Sequence, residues 1–394
     1  MFPRRNWCFS SLALVLTWLI LLNLSYVWRL PLPESTRLQQ DSTCRVHVFF
    51  YAWYGNPQVD GNWSHWNHQI LPFWNPSLAS QWPTGVFQPP GDVGSASMPK
   101  RGLYSSRDQQ VLTSQFKELA SLGLNVISLS WWGPKHCSTC RDGQGSVTDE
   151  AAKLIMEIAE ETGIYVNFHL EPYPGRNVES IRQDLDYILK EYGHYQSFFR
   201  NKKNHKAMVY VYDSYLIPEA EWHRLLSRDG DLSIRHPKNV WNVIGLLVEE
   251  QHKNSILQSG FDGFYTYFAA DQFTFGSTQD NWKSLGKWAR ENNLIFVPSV
   301  GPGYDDRRIR PWNSINYRPR NHGEYYKQAW RKAIASKPDF ITVTSYNEWH
   351  EGTQIEAVIP FVTSNRVVLE DYNPESPEYY LDLTRKWKEK YEST

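Results

Sequence analysis

The feature that most constrains this chain is the recurrence of short apolar runs separated by amphipathic stretches. Eight runs rich in β-branched and aromatic residues read as strands: Val46–Trp53, Asn125–Trp132, Tyr165–Tyr173, Ala207–Tyr215, Val243–Glu250, Phe261–Ala269, Leu294–Gly303 and one opening at Phe340. Residues 107–123 carry Val111, Leu112, Phe116, Leu119 and Leu122 at helical spacing before Gly123. Further helical patterns follow the other strands, among them residues 148–163, with Thr148 or Asp149 as N-cap, and a last helix over residues 374–391. The strand runs are nearly continuous in apolar character, as parallel strands covered on both faces require. Eight such alternations predict an α/β chain folded as a single (β/α)8 TIM barrel. A doubly wound open sheet competes, but the count of eight and the absence of a GxGxxG turn after any strand weigh against it.

The N-terminal stretch Trp7–Trp28 carries no charge and has the length of a bilayer span. Arg4 and Arg5 precede it and only Arg29 follows closely, which places residues 1–6 in the cytosol and the bulk of the chain in the secretory lumen. This predicts a transmembrane signal-anchor over residues 7–28, a Pro-containing stem over 29–44 and a lumenal domain over 45–394. A cleaved signal peptide is the rival reading, disfavoured by the length of the apolar run. Cys137 and Cys140 form a C-S-T-C loop without a second CxxC, so a local disulfide, or one to Cys44, suits that compartment better than zinc. Asn62-Trp63-Ser64 is a formal glycosylation acceptor. The formal net charge of -1 gives no field for nucleic acid.

In a barrel, chemistry gathers at the C-terminal ends of the strands. There the sequence places Tyr54 with His65 and His68, Trp131 and Trp132, then His169, Glu171 and Tyr173. Asp213 and Tyr215, Glu249 and Glu250, Tyr265 and Tyr267, and finally Glu348 and Glu351 complete the ring. Aromatic faces stack on sugar rings while carboxylates and imidazoles bind hydroxyls, and the aromatic content of 15% agrees with a carbohydrate cleft. If the chain turns helical near Glu348, Glu348 and Glu351 share a face and can act as an acid/base pair. No metal is expected: His65 and His68 stand on a loop, and Gln354 occupies the place of a second zincin ligand after His350. No cofactor signature appears, and neither a G-x-S-x-G elbow nor a Walker A motif is present.

The stretches VHVFFYAWYGNPQVDGNWSHWNH, FHLEPY, FYTYFA, PSVGPGYDDRRIRPWN and SYNEWHEGTQIE together resemble glycoside hydrolase family 99, from about Val46 to Tyr391. The resemblance implies a (β/α)8 fold and metal-independent, retaining, endo-acting cleavage of an alpha-1,2-mannosidic bond. It implies a glucosylated high-mannose N-glycan as substrate and a Golgi membrane location. It assigns Glu351 as general acid and Glu348 as base on the sugar's own 2-hydroxyl, and it adds Arg310 and Trp312 to the substrate-binding positions. In SWWGPKHCSTCRDG the chain departs from animal members, which carry Tyr-Pro-Pro after the Ser-Trp. Bacterial members have Trp at the position of Trp132 and prefer mannose there, so this residue bears on whether glucose or mannose precedes the cleaved bond. A glycan-binding relative on the same barrel with little turnover is the alternative.

Overall fold

The computed structural model describes residues 44–394. The predicted anchor Trp7–Trp28 and most of the stem lie outside them. Among the described residues no helix is long and apolar enough to cross a membrane.

The eight strands are β1 Val46–Phe50, β2 Val126–Trp131, β3 Tyr165–Leu170, β4 Ala207–Val211, β5 Trp241–Leu246, β6 Gly263–Tyr265, β7 in two segments Ile295–Val297 and Ser299–Val300, and β8 Ile341–Val343. The helices between and after them are α1 Gln109–Ser121, α2 Asp149–Thr162, α3 Val178–Glu191, α4 Glu219–Leu226, α5 His252–Ser259, α6 Trp282–Glu291, α7 Glu324–Ala335 and α8 Tyr379–Glu392. Within this sheet all pairings are parallel and sequential, with β1 against both β2 and β8, and a separate antiparallel pair joins Met98–Pro99 to Val358–Ile359. Closure runs through β7, whose first segment pairs with β6 and whose second pairs with β8. Pro298 separates the segments and has no N–H for a ladder, which is why the strand is read as two. The predicted barrel is present.

Local chemistry sets the helix starts. Asp108 caps α1 by accepting from the Gln110 and Val111 amides. Asn177 and Ser180 cap α3 reciprocally, each side chain bonding the other's backbone amide. Thr148 precedes α2 without capping it; its hydroxyl accepts from the Trp132 amide instead, at 3.1 Å, tying β2's end to the helix.

The barrel interior is filled with rings. Phe49 packs 4.6 Å from His169 and 5.2 Å from Tyr267, while His47 Nδ1 hydrogen-bonds the Tyr210 hydroxyl at 2.8 Å. Among the described residues seven tryptophans are wholly buried, from Trp66 to Trp349. Much of the aromatic excess is therefore core rather than cleft. Every predicted run overshoots its strand at the C-terminal end. Past β1, β2, β4 and β6 the overshoot is aromatic, and Tyr51, Trp53, Trp132, Tyr212 and Tyr267 there line the barrel mouth.

Candidate active site

The site is built on the turn after β8. Ser345 and Thr353 close it through their backbones at 2.9 Å and their hydroxyls at 2.9 Å. The Asn347 side chain pairs with Tyr51 as a strand would, accepting from its amide at 2.8 Å and donating to its carbonyl at 2.9 Å. The Tyr54 hydroxyl donates to the Asn347 carbonyl and accepts from the Trp349 amide. Trp349 in turn donates to Tyr104, which donates to the buried Glu356 at 2.8 Å. At Gly352, φ is +60° and a Cβ would lie 2.9 Å from the Asp305 carbonyl oxygen, so the turn requires glycine. Residues 347–352 are thus a turn and not a helix. Glu348 and Glu351 reach one cavity through this turn rather than by sharing a helical face.

That cavity, about 270 Å³, is lined by both glutamates together with Tyr51, Trp53, His65, His68, Trp132, Glu171, Tyr267 and Arg310. Glu348 is buried. Its Oε1 accepts from the His350 amide at 3.1 Å, while its Oε2 has no protein hydrogen-bond partner among the described residues. Glu351 is 24% exposed, with Oε1 3.7 Å from Arg310 Nη1. Burial pushes both carboxyls up; His65, the His350 amide and Arg310 pull Glu348 back. The charge of Glu348 pushes Glu351 further up, Arg310 opposes it, and Asp306 and Glu171 add to the push. Two such carboxyls release their protons in two steps that belong to the pair, and the Glu348 charge favours the protonated form of Glu351.

The remaining walls fix ring positions. His65 stacks on Trp53 at 4.3 Å, its Nε2 2.7 Å from Asp142 Oδ2 and its Nδ1 2.9 Å from the Gln144 amide nitrogen. The bond from His65 holds Asp142 below the usual carboxylate range against burial, which pushes it up. Burial keeps His68 and His350 neutral, lowering each to about 3. His68 Nδ1 donates to the Gln69 carbonyl, and His350 Nε2 donates to that of His65. The Tyr51 and Tyr267 hydroxyls hydrogen-bond each other. Asp142 and Gln144 arrive on a loop braced by a Cys137–Cys140 disulfide, in which Cys44, itself buried, takes no part. Gly133, with φ +100°, passes so close to Cys140 that a Cβ would sit 2.7 Å from its sulfur.

A second cavity of about 370 Å³ shares Tyr212, Arg310 and Glu351 with the first and adds Phe268, Tyr304, Asp306, Trp312 and Asn313. Asp306 organises it, accepting from Arg310 at 3.0 Å, Tyr304 at 2.9 Å and Asn313 at 2.8 Å. Glu351 therefore stands between two chambers.

Of the predicted positions, Glu348, Glu351, His65, His68, Trp132, Glu171, Tyr267 and Arg310 line the first cavity and Trp312 the second. Three positions are corrected. Tyr54 is buried beneath the turn, His169 lies inside the barrel on the Tyr265 hydroxyl at 2.7 Å, and Tyr173 points to Asp184 at 2.6 Å. His169 still touches the site indirectly, its Nδ1 3.0 Å from Glu171 Oε1. In the wider ring, Trp131 and Tyr265 are buried, Asp213 and Tyr215 face elsewhere, and Glu249 and Glu250 lie beyond the end of β5. The residues missed are Tyr51 and Trp53 inside the first apolar run, Tyr212, Asp142 and Gln144 on the disulfide loop, and Tyr304 and Asp306.

Residues 42–393 match the sequence model of glycosyl hydrolase family 99. Glycoprotein endo-alpha-1,2-mannosidase of Mus musculus is 46% identical over 349 residues, 88% of this chain and 74% of that protein. Glycoprotein endo-alpha-1,2-mannosidase-like protein of Homo sapiens is 42% identical over 361 residues, 91% of this chain and 77% of that protein. The solved GH99 endo-alpha-mannosidase from Bacteroides thetaiotaomicron superposes with a TM-score of 0.82 at 37% identity, covering 89% of this chain and 98% of that one.

Proposed function

The chain belongs to glycosyl hydrolase family 99 and is a glycoside hydrolase, and on that premise we propose that it cleaves an internal alpha-1,2-mannosidic bond. The substrate is a glucosylated high-mannose N-glycan and the product released is a glucosyl-mannose unit. The observation that carries this reading is the bare Oε2 of Glu348 in one chamber, with the Glu351 carboxyl at the junction of two. A bond lying across Glu351 puts one sugar in each chamber, and room at Trp132 for a further sugar on the non-leaving side makes the cleavage endo. The name of the mouse relative supports the linkage.

Glu351 gives its proton to the glycosidic oxygen while Glu348 takes the proton of the 2-hydroxyl. The freed oxygen attacks the anomeric carbon, the bond to the leaving sugar breaks, and a 1,2-anhydro sugar forms. Glu351, now a carboxylate, then deprotonates a water that opens this ring, and Glu348 returns its proton to O2. Two inversions give retention without a carboxylate nucleophile, unlike the usual retaining pair. Tyr51, Tyr267, His65, His68 and Glu171 surround the reacting sugar, and Trp132 faces the sugar before it. The uncharged stretch Trp7–Trp28 would hold the enzyme in the Golgi membrane as a single-pass type II protein with a lumenal barrel. Incubation of the purified protein with a glucosylated high-mannose glycan tests the reading. Release of a disaccharide of retained configuration is expected. An intact glycan would leave a binding protein in its place.

A further inference from the structure

Trp312, in the wall of the second chamber, also meets an aromatic shelf that the chemistry above does not use. The Trp312 ring meets Phe73 edge-on at 5.5 Å, and Phe73 lies 5.0 Å from Trp74. Trp74 is 75% exposed, and among the described residues it is the one tryptophan with most of its surface in solvent. A single exposed ring needs no explanation, but a file of rings leading out of a catalytic chamber does. The shelf is also held in place. Leu71 donates its amide to Ile309 at 2.8 Å and accepts from the Trp312 indole at 3.2 Å, while Phe87 bonds the His68 carbonyl at 3.1 Å. The same backbone segment that carries Arg310 therefore carries the shelf.

We propose that Phe73 and Trp74 form a further subsite, stacking a pyranose ring of the leaving oligosaccharide beyond the sugar that receives Glu351's proton. This rests on the cleavage proposed above, because Trp74 can hold a sugar of the leaving oligosaccharide only if that oligosaccharide departs through the chamber beyond Glu351. Flat indole faces suit the C–H face of a sugar, and contact with Trp312 of the second chamber favours a glycan over a polypeptide.

The test compares Trp74→Ala, Trp74→Phe and the unaltered protein on two substrates. One is a free glucosylated high-mannose oligosaccharide without polypeptide; the other is a glucosyl-mannosyl fluoride, which has no sugar on the leaving side. On the oligosaccharide, Trp74→Ala should lower kcat/KM by roughly three- to tenfold, the size of one aromatic stacking contact. Trp74→Phe should recover most of the loss, and both variants should match the unaltered protein on the fluoride and in melting temperature. Equal losses on both substrates, no loss on the oligosaccharide, or a loss seen only with intact glycoprotein would each overturn the subsite. If the unaltered protein cleaves neither substrate, the endo-mannosidase reading itself falls and takes this one with it.

Discussion

Removing Arg310 should displace the titration of Glu351 by an amount that the geometry bounds. Arg310 Nη1 stands 3.7 Å from Glu351 Oε1 and 3.0 Å from Asp306 Oδ2. Two unit charges at 3.7 Å interact by about 4.5 kcal/mol at an effective dielectric near 20, a ceiling of about three pH units. The arginine side chain is 29% exposed and Asp306 absorbs part of its field, so about one pH unit should survive. The sign follows from charge: a cation favours the carboxylate, so Arg310 holds Glu351 below the level that burial and Glu348 would impose. Arg310→Gln should therefore raise it. The acid must be protonated and the base ionised, so the alkaline limb of kcat/KM belongs to Glu351 and the acidic limb to Glu348. Measured on an oligosaccharide substrate from about pH 4 to about pH 10, the variant's alkaline limb should move up by about one pH unit. The acidic limb should move less, because Arg310 ranks behind His65 and the His350 amide in pulling Glu348 down. The rate at every pH will fall with the lost sugar contact, but the position of the limb is independent of that loss. An alkaline limb that stays put, or moves down, would refute the assignment of Glu351 as the proton donor.

The two glutamates should also differ by substrate. Glu351→Gln should cost about a hundred- to ten-thousandfold on poor leaving groups and little on a glycosyl fluoride, whereas Glu348→Gln should slow both, and full activity of the latter on the fluoride would contradict its role. A carboxyl raised in the folded state loses stability as pH rises through its unfolded value. Glu348→Gln should therefore stabilise at pH 7 by on the order of 1 kcal/mol, a few degrees in Tm, and not at pH 4; an equal gain at both pH values would count against the shift. Trp132→Tyr should raise the rate on glucosyl-mannose relative to mannosyl-mannose substrates, and an unchanged ratio would place the contact elsewhere. Replacing Cys137 and Cys140 by Ser should cost about 2 kcal/mol by the chain-entropy relation and leave kcat/KM within roughly tenfold, with a thousandfold loss in a folded protein as the contrary result.

The barrel was legible because eight apolar runs at β/α spacing have few other solutions. Strand ends were not, because Tyr51, Trp53 and Tyr212 are as apolar in composition as the strands they follow yet line the cleft. Direction was the harder matter. Tyr54 and Tyr267 both follow strands, but one hydroxyl braces a backbone turn and the other residue lines the cavity, and nothing local to either residue encodes the difference. His169 and Tyr173 were misread for the same reason, since a buried hydrogen-bonded ring and a ligand-binding ring are the same letters. Asp142 and Gln144 belong to a loop whose course depends on the Cys137–Cys140 disulfide and on His65, 77 residues away from Asp142 in sequence. Glu348 and Glu351 were found by residue type and position, but through a turn rather than the helix expected.

The different footing of the two halves of the site bears on how such an enzyme can be varied. Glu348 and Glu351 hang from a turn locked into the barrel by Asn347, Tyr54, Tyr104 and Glu356. Trp132, Asp142, Gln144 and Trp74 are carried instead at or beyond strand ends, on loops anchored at their bases. Recognition can thus drift, by exchange of loops, while the reacting machinery is inherited intact. An engineer seeking a new glycan preference should graft at residues 69–87 and 133–147 and leave residues 345–356 alone. A variant at Glu356, far from any sugar, should be expected to behave as a lesion of catalysis.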